Sequence, residues 1–522
     1  MSDIESTDRP GSGFSLDSGH TRETFLRRAA GVALLPSVLL AGGQAFAATG
    51  ATPSGTLRAA IPGEPNFIDP AKALELTEWS IVRNVYDGLI HWNKNYTRLV
   101  PALATAWKHN ANATVWDFTL RKGVTFHDGE PFNSTAARKS IEYYKDKTWG
   151  LVWANLTKID DSDPYRLRVT FSAPSPDLER NQTMARMISP KLIAEDAVGK
   201  RAVGTGAYRW VTWKKGSHVA LEANPDYWGP AGPNLQGIEL RFIGDMTSAI
   251  TALTAGDLDL VMKVPPKQLA TLKRNPKFKT FTDTSWIEGH LVFRCDQEPV
   301  SDVRVRQACA YAIDRKAIVN KVLLGQATVA DSPLPPGTYG RVIPPTRYSY
   351  NPAKAKALLA AAGHPDGVEI GLVVFAAIRV LGEEVGQAVA AQLSEVGIKT
   401  NLEILEAGVA VKDLLDPKPK NQVFHAEYGY VNGGPFHFTI GTALGHPQYK
   451  GAALTKVIQQ LSTTPDGPKR LRLLALAQNL FMKELPHLPL YHLKLSDVFR
   501  ADLQGYRGAK EGYLPVFTTA RY

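Results

Sequence analysis

The sequence predicts an α/β protein of two or three domains, and three observations carry that prediction. From Thr56 onward, apolar residues switch repeatedly between the two-residue period of strands and the 3.6-residue period of helices. Glycine, proline and asparagine punctuate the switches. At 522 residues with 44% hydrophobic content, the chain is long enough to bury more than one core.

Thr56 to Ile61 reads as a short buried strand that ends in the turn-rich run Pro62-Gly63-Glu64-Pro65. Leu76 to Ile90 has helical spacing, with Ile81, Val82, Val85 and Leu89 on one face. Val115 to Leu120 alternates as a strand, turns at Gly123 and Gly129 bracket Phe126-His127-Asp128, and Ser134 is expected to cap a helix through Ala137, Ile141 and Tyr144. His127, Asp128 and Glu130 are cation-binding residue types, but a single imidazole with no second histidine at helical spacing fits a structural turn better than a metal centre.

Farther along, Asp245 caps a helix closed by Gly256, and Leu258 to Val261 follows as a strand. Asn351-Pro352 opens a helix that Gly363 closes. Val368 to Phe375 is a buried strand, Leu381 to Val396 an amphipathic helix stopped by Gly397, and Lys399 to Ile404 a returning strand. Such alternation argues for helices covering both faces of the sheets.

Residues 1–47 read as an export signal: Arg27 and Arg28 precede a twelve-residue apolar run, Ala29 to Leu40, and Ala45-Phe46-Ala47 offers an A-x-A cleavage site. Thr21-Arg22-Glu23-Thr24-Phe25-Leu26-Arg27 looks like a twin-arginine signal in which Glu23 has replaced the second arginine, so that route and the general secretory one stay open. A run of twelve is too short to cross a bilayer, which needs about 20 apolar residues. The only cysteines, Cys295 and Cys309, lie far from the cleavage site, so no lipid anchor is expected and the mature chain should diffuse freely in the periplasm. Cys295 is expected on a strand and Cys309 in the following helix, as two buried free thiols; pairing in an oxidising compartment is the alternative.

Net charge is +10, with Lys and Arg scattered among the acids and no basic block, which argues against nucleic acid. The surplus favours anionic solutes by long-range attraction. The G-x-S-x-G elbow, the H-E-x-x-H helix and the phosphate-cradling G-x-x-x-x-G-K-[ST] loop are all missing, so neither an enzyme nor a cofactor is expected. A secreted hydrolase with a triad built only in space is one alternative. A sensory or chaperone-like binding protein is the other.

Several ordered blocks carry a family resemblance. LRKGVTFHDGEPFNSTAARKSIEYY (Leu120 to Tyr144) is followed by DVRVRQACAYAIDR (Asp302 to Arg315). Around them stand GTLRAAIPGEPNFIDPA from Gly55, GTGAYRW from Gly204, NPDYW from Asn224, ALTAGDLDLV from Ala252 and YNPAKAKALLAAAGHPDG from Tyr350. Together they resemble the extracytoplasmic solute-binding proteins of family 5, which serve peptide, nickel and opine ABC importers. The resemblance implies a two-lobed periplasmic-binding-protein fold of the cluster C type, with a two-stranded hinge and a small domain inserted in the first lobe. It places the first lobe at residues 56–86, 203–284 and 494–522, the inserted domain at 87–202 and the second lobe at 285–493. It also implies a periplasmic monomer that closes on a peptide, opine or amino-acid conjugate and delivers it to permease subunits.

Candidate ligand contacts follow from the same resemblance. Trp286 stands at the first hinge crossing, where an aromatic against the ligand and a core tryptophan are equally open. Arg294 follows the Leu291-Val292-Phe293 strand, where an ion pair with Asp296 or Glu298 competes with a carboxylate clamp. Arg379 occupies a loop that faces the cleft in relatives, and Glu64, Glu78 and Trp79 belong to segments that approach ligand.

Glu427-Tyr428-Gly429-Tyr430-Val431-Asn432-Gly433-Gly434-Pro435 replaces the aspartate-bearing run of peptide binders, and nothing acidic follows Glu427 in it. Leaving a buried ammonium without that partner costs several kcal/mol. Tyr428, Tyr430 and Asn432 suit a sugar-derived, opine-like or blocked-amine solute instead. Direct nickel binding is disfavoured, because the spacings of His425, His437 and His446 say nothing about convergence.

Overall fold

The computed structural model describes residues 53–73, 76–230, 232–376, 381–429, 449, 451–510 and 515–522. Strand β1 (Thr56–Ile61) forms where the apolar run predicts it. The helix after it, Leu76–Val85, stops five residues before the expected Ile90. The backbone at Gly88 explains the early stop: a Cβ there would lie 2.7 Å from the Gln182 carbonyl oxygen, so the chain passes too close to its neighbour to continue winding. Ile90 instead opens β2 (Ile90–Trp92), which pairs antiparallel with β3 (Leu99–Pro101).

Strands β4 (Ala104–His109), β5 (Val115–Leu120), β6 (Leu156–Asp163) and β7 (Arg166–Phe171) make an antiparallel sheet in the order β4-β5-β7-β6. Alternation in β5 turns Trp116, Phe118 and Leu120 inward. The helix Ser134–Tyr144 covers this sheet, but its cap is Asn133, whose Oδ1 accepts from Ala136 N at 2.9 Å. Ser134, the expected cap, sits one residue inside and donates to the Asp161 carbonyl. His127 Nε2 meets the Gly206 carbonyl at 2.9 Å and Asp128 accepts from Ser189 Oγ, as a structural turn requires.

The remaining strands are β8 (Tyr208–Lys214), β9 (His218–Ala223), β10 (Gly237–Phe242), β11 (Leu260–Val261), β12 (Phe278–Phe293), β13 (Ala327–Val329), β14 (Val368–Phe375), β15 (Ile398–Leu405), β16 (Val423–Gly429) and β17 (His487–Arg500). With β1 they form one sheet in the order β15-β14-β16-β12-β17-β11-β1-β10-β9-β8, and β13 pairs with β17. The strand expected from Leu258 is shorter because Asp259 turns inward to hold the Arg58 guanidinium at 2.8 and 3.0 Å.

Caps are placed as the sequence predicts at Asp245, which accepts from Ser248 N at 2.8 Å, and at Asn351, which accepts from Lys354 N at 3.0 Å. Gly256 closes the first of these helices at φ +87°, a left-handed turn that suits glycine. Cys309 lies in the helix Val303–Ala312 as expected. Cys295 lies two residues beyond the end of β12 instead of within a strand and is only partly buried; both thiols are free.

Two large apolar clusters take up different stretches of the β12–β17 pair. One gathers Leu57, Trp79, Tyr86, Trp116, Phe118 and Tyr208. The other gathers Trp286, Leu291, Phe293, Val389, Leu474 and Phe481. The protein is thus a two-lobed α/β molecule, with the sheet β4–β7 added to the first lobe and sharing its core.

Candidate functional site

The site is organised by β12 and β17, the two strands that run through both lobes among the described residues. Strands β12 and β17 pair antiparallel from Phe278↔Arg500 to Thr284↔Lys494, and again from Glu288↔His492 to Val292↔His487. Between these stretches β12 advances four residues while β17 advances two, a bulge that bends the strand at Ser285-Trp286-Ile287. Ser285 Oγ takes up the slack, donating to the Leu493 carbonyl at 2.9 Å and accepting from Ile287 N at 3.2 Å. Trp286 N donates to the Lys510 carbonyl at 2.8 Å.

The Trp286 side chain, fully buried, stands edge-on to Trp92 at 5.2 Å and to Tyr96 at 5.5 Å between ring centroids. Arg83, on the helix Leu76–Val85, donates to the Tyr96 hydroxyl at 3.3 Å. The indole therefore joins the β2–β3 hairpin to strand β12 at the crossing. Beside it opens a cavity of about 470 Å³, lined by Trp92, Lys94, Tyr96, Tyr227 and Arg507 among others.

On the second-lobe side, β14 and β16 run parallel, so their carboxyl ends open on the same edge, where α/β sheets place ligands. Glu427 lies near that end of β16 and accepts from the Tyr491 hydroxyl at 3.2 Å; the same hydroxyl meets His425 Nε2 at 3.2 Å. A hydroxyl has one proton to give, so His425 Nε2 is the donor to Tyr491. Burial keeps that imidazole neutral, lowering its pKa to about 4, and drives the Tyr491 phenol well above its ordinary value, with the Glu427 charge adding to the rise. Tyr428 packs against His290 at 4.5 Å between ring centroids, and burial pushes its phenol up to about 12.

The other candidates separate. Glu64 accepts from Trp213 Nε1 at 2.8 Å and Gly216 N at 3.0 Å, and is thereby tied to the β8–β9 turn. Glu78 is buried and accepts from Asn66 N at 3.4 Å, which braces the segment that follows β1. Trp79 is buried edge-on to Trp149 at 5.9 Å.

Arg294 forms the expected pair with Asp296, at 2.9 and 3.0 Å, but in the interior and not at the surface. Its remaining nitrogen donates to the Leu414 and Asp416 carbonyls at 3.0 and 2.7 Å. With four donors spent on the protein, its guanidinium pins the end of β12 to the chain after the helix Ala407–Leu415. Arg379, Tyr430 and Asn432 lie outside the described residues, as do His437 and His446.

Sequence reasoning passed over Trp92, Tyr96 and Tyr491. The first two flank the turn Asn93-Lys94-Asn95, and two aromatics across a turn are a readable signal. Tyr491 had none, because its role depends on strands far apart in the chain.

Comparison with known proteins agrees with this architecture. Over 84% of this chain and 89% of its own length, the glutathione-binding protein GsiB of Escherichia coli O1:K1 is 25% identical. The periplasmic binding protein DppA of Helicobacter pylori, solved with the peptide STSA, superposes with a TM-score of 0.76 at 22% identity, covering 90% of this chain and 98% of its own. NikZ of Campylobacter jejuni, solved with Ni(L-His), gives 0.78 at 22% identity, covering 90% and 100%. The profile of the bacterial extracellular solute-binding proteins, family 5, matches residues 98–440. On that match, which spans well over half its length, the chain belongs to the family 5 solute-binding proteins, a family of binders and not of enzymes.

Proposed function

We propose that the protein is the periplasmic substrate-binding component of an ABC importer, closing about the β12–β17 crossing on a peptide, opine or amino-acid conjugate and delivering it to the membrane permease. The observation that carries this reading is the bulge at Ser285-Trp286-Ile287, placed where β12 passes from one apolar core into the other, on the two strands that traverse both lobes among the described residues. Rotation there moves the lobes as bodies, which is hinge closure. A solute acts on it only through its difference in affinity between the open and closed states.

On this reading the first lobe takes residues 56–86, 203–284 and 494–522, the inserted domain 87–202 and the second lobe 285–493. Residues 1–47 direct export, and the mature protein works as an unanchored monomer. Tyr428, Tyr430, Asn432 and Arg379 line the cleft, with Glu427 its carboxylate and Trp286 buried behind Trp92 and Tyr96. Arg379 comes four residues after the last residue of β14 in the sequence, and an arginine suits an anionic group of the solute.

The relatives support the solute class, being a binder of glutathione and one solved with a short peptide. The test is calorimetric titration with glutathione, short peptides and opines, paired with small-angle scattering. A compaction that accompanies binding of one class supports the reading. Unchanged scattering across the whole panel, or chemical conversion of a bound compound, counts against it.

A further inference from the structure

Four charges, with Glu179 beside them, meet where the proposed inserted domain touches the second lobe. Asp177 and Arg180 belong to the short helix Leu178–Asn181 of the proposed inserted domain, Asp177 as its first flanking residue. Asp466 and Arg470 belong to the second lobe, at the start of the helix Pro468–Glu484. Arg470 donates to both oxygens of Asp177, at 2.8 and 2.7 Å, and Arg180 donates to Asp466 at 2.7 Å. The signs alternate around a ring, because Arg470 Nε also faces Asp466 at 3.4 Å and Arg180 faces Asp177 at 4.0 Å, and Glu179 of the same short helix adds a further carboxylate to Arg180 at 3.5 Å.

Solvent hardly reaches this ring. The Arg470 side chain is 0% exposed, Arg180 7% and Asp177 8%, with Asp466 at the rim at 27%. Tyr339, also from the second lobe, lays its ring under the Arg180 guanidinium at 3.8 Å. Arg470 is held ready for the contact by the Leu461 and Thr464 carbonyls of its own lobe, at 2.5 and 2.6 Å.

We propose that this quartet is a reversible latch through which the inserted domain grips the second lobe, setting how often the ligand-free protein is closed. The inference rests on the hinge-closure reading above. When the lobes part, all four groups regain water, so the desolvation cost of the buried pairs is set against their attraction and neither state wins outright. An apolar contact of the same size would lack that refund and would favour permanent closure. The alternating signs also admit one register only, since a shift brings like charges together.

Spin labels at Lys158→Cys and Lys456→Cys, both on exposed positions of the two bodies, read the lobe separation in the full chain by pulsed dipolar spectroscopy. Burial raises the native thiols to about 11 and 12 at Cys295 and Cys309, so the introduced cysteines react first. In ligand-free protein, Asp466→Asn is expected to lengthen the distances and lower the closed fraction by about fivefold or more. The charge-keeping Asp466→Glu should recover part of it. Superposable distributions for the wild type and a folded Asp466→Asn would overturn the proposal. Glutathione added to the wild type reads solute capture separately: a response to solute without one to Asp466→Asn strikes the latch alone, and the reverse supports the latch while counting against capture.

Discussion

The phenol ring of Tyr491 lies across Gly289, so close that a Cβ on residue 289 would stand 2.6 Å from the Tyr491 hydroxyl oxygen and nearer still to the ring carbons. The two residues are paired in the β12–β17 register, and only the missing side chain lets the ring cross the sheet to reach Glu427 and His425. Gly289→Ala is therefore expected to displace Tyr491. Overpacking of this kind costs about 1–3 kcal/mol. Urea unfolding measures that loss, and titration with glutathione should show weakened binding because Glu427 loses its brace. Full stability with an unmoved Tyr491 would contradict the geometry.

Arg294 offers the opposite case. Its donors are spent on Asp296, Leu414 and Asp416, so Arg294→Met leaves two carbonyls and the part-buried Asp296 carboxylate without their donor. Leaving buried acceptors without their donor costs about 1–3 kcal/mol. We expect that loss in a denaturant titration, while glutathione affinity of the folded variant stays near the wild-type value. Affinity lost at undiminished stability would return Arg294 to the cleft.

Arg379→Ala should behave inversely. Loss of a charge-assisted contact with an anionic solute predicts at least about tenfold weaker binding, or about 1.4 kcal/mol. The melting curve of the unliganded protein should hardly move. Calorimetry with glutathione decides it, and equal affinities would remove Arg379 from the site.

Acid should weaken the fold, and the sign follows from two opposed sets of groups. Burial lowers His127, His425 and His492 to about 4, so the unfolded chain takes up protons below its ordinary 6.5 that the folded chain refuses, and stability falls as pH drops from 6.5 to 4. Burial raises Asp87 and Asp497 to about 6, so over roughly the same window the folded chain holds protons the unfolded one has released, and these two gain stability in acid. His91, which burial lowers well below its ordinary value, joins the first set, so four groups against two leave a net loss of at least about 3 kcal/mol at about 1.4 kcal/mol per pKa unit. Urea midpoints at pH 6.5 and 4.5 should show it, and Asp497→Asn should widen the gap. A gap of the same width in that variant would refute the balance.

Local chemistry was legible where a segment decides its own conformation. The strand Thr56–Ile61, the strand Val368–Phe375, the Asp245 and Asn351 caps and the left-handed Gly256 stand as their residues predict, because alternation, capping oxygens and a missing Cβ act within a few residues. Where the reading failed, a distant neighbour intervened. The helix expected to reach Ile90 ends at Val85 because Gly88 meets the Gln182 backbone, a contact no local period announces. The candidate site divides the same way: Trp286 falls at the crossing as the resemblance implied, whereas Glu64 and Arg294 are held by Trp213 and Asp296.

By itself the sequence determined the α/β class, most element positions and the family, since these rest on periodicities and ordered blocks along the chain. Only the tertiary structure decided that Tyr491 reaches Glu427 over Gly289, and that Arg470 meets Asp177 across 293 residues. Both depend on which strands pair and which lobes touch. Those choices are made by burying apolar surface between segments far apart in sequence, and the cost or gain of a buried charge is fixed only once its partner arrives.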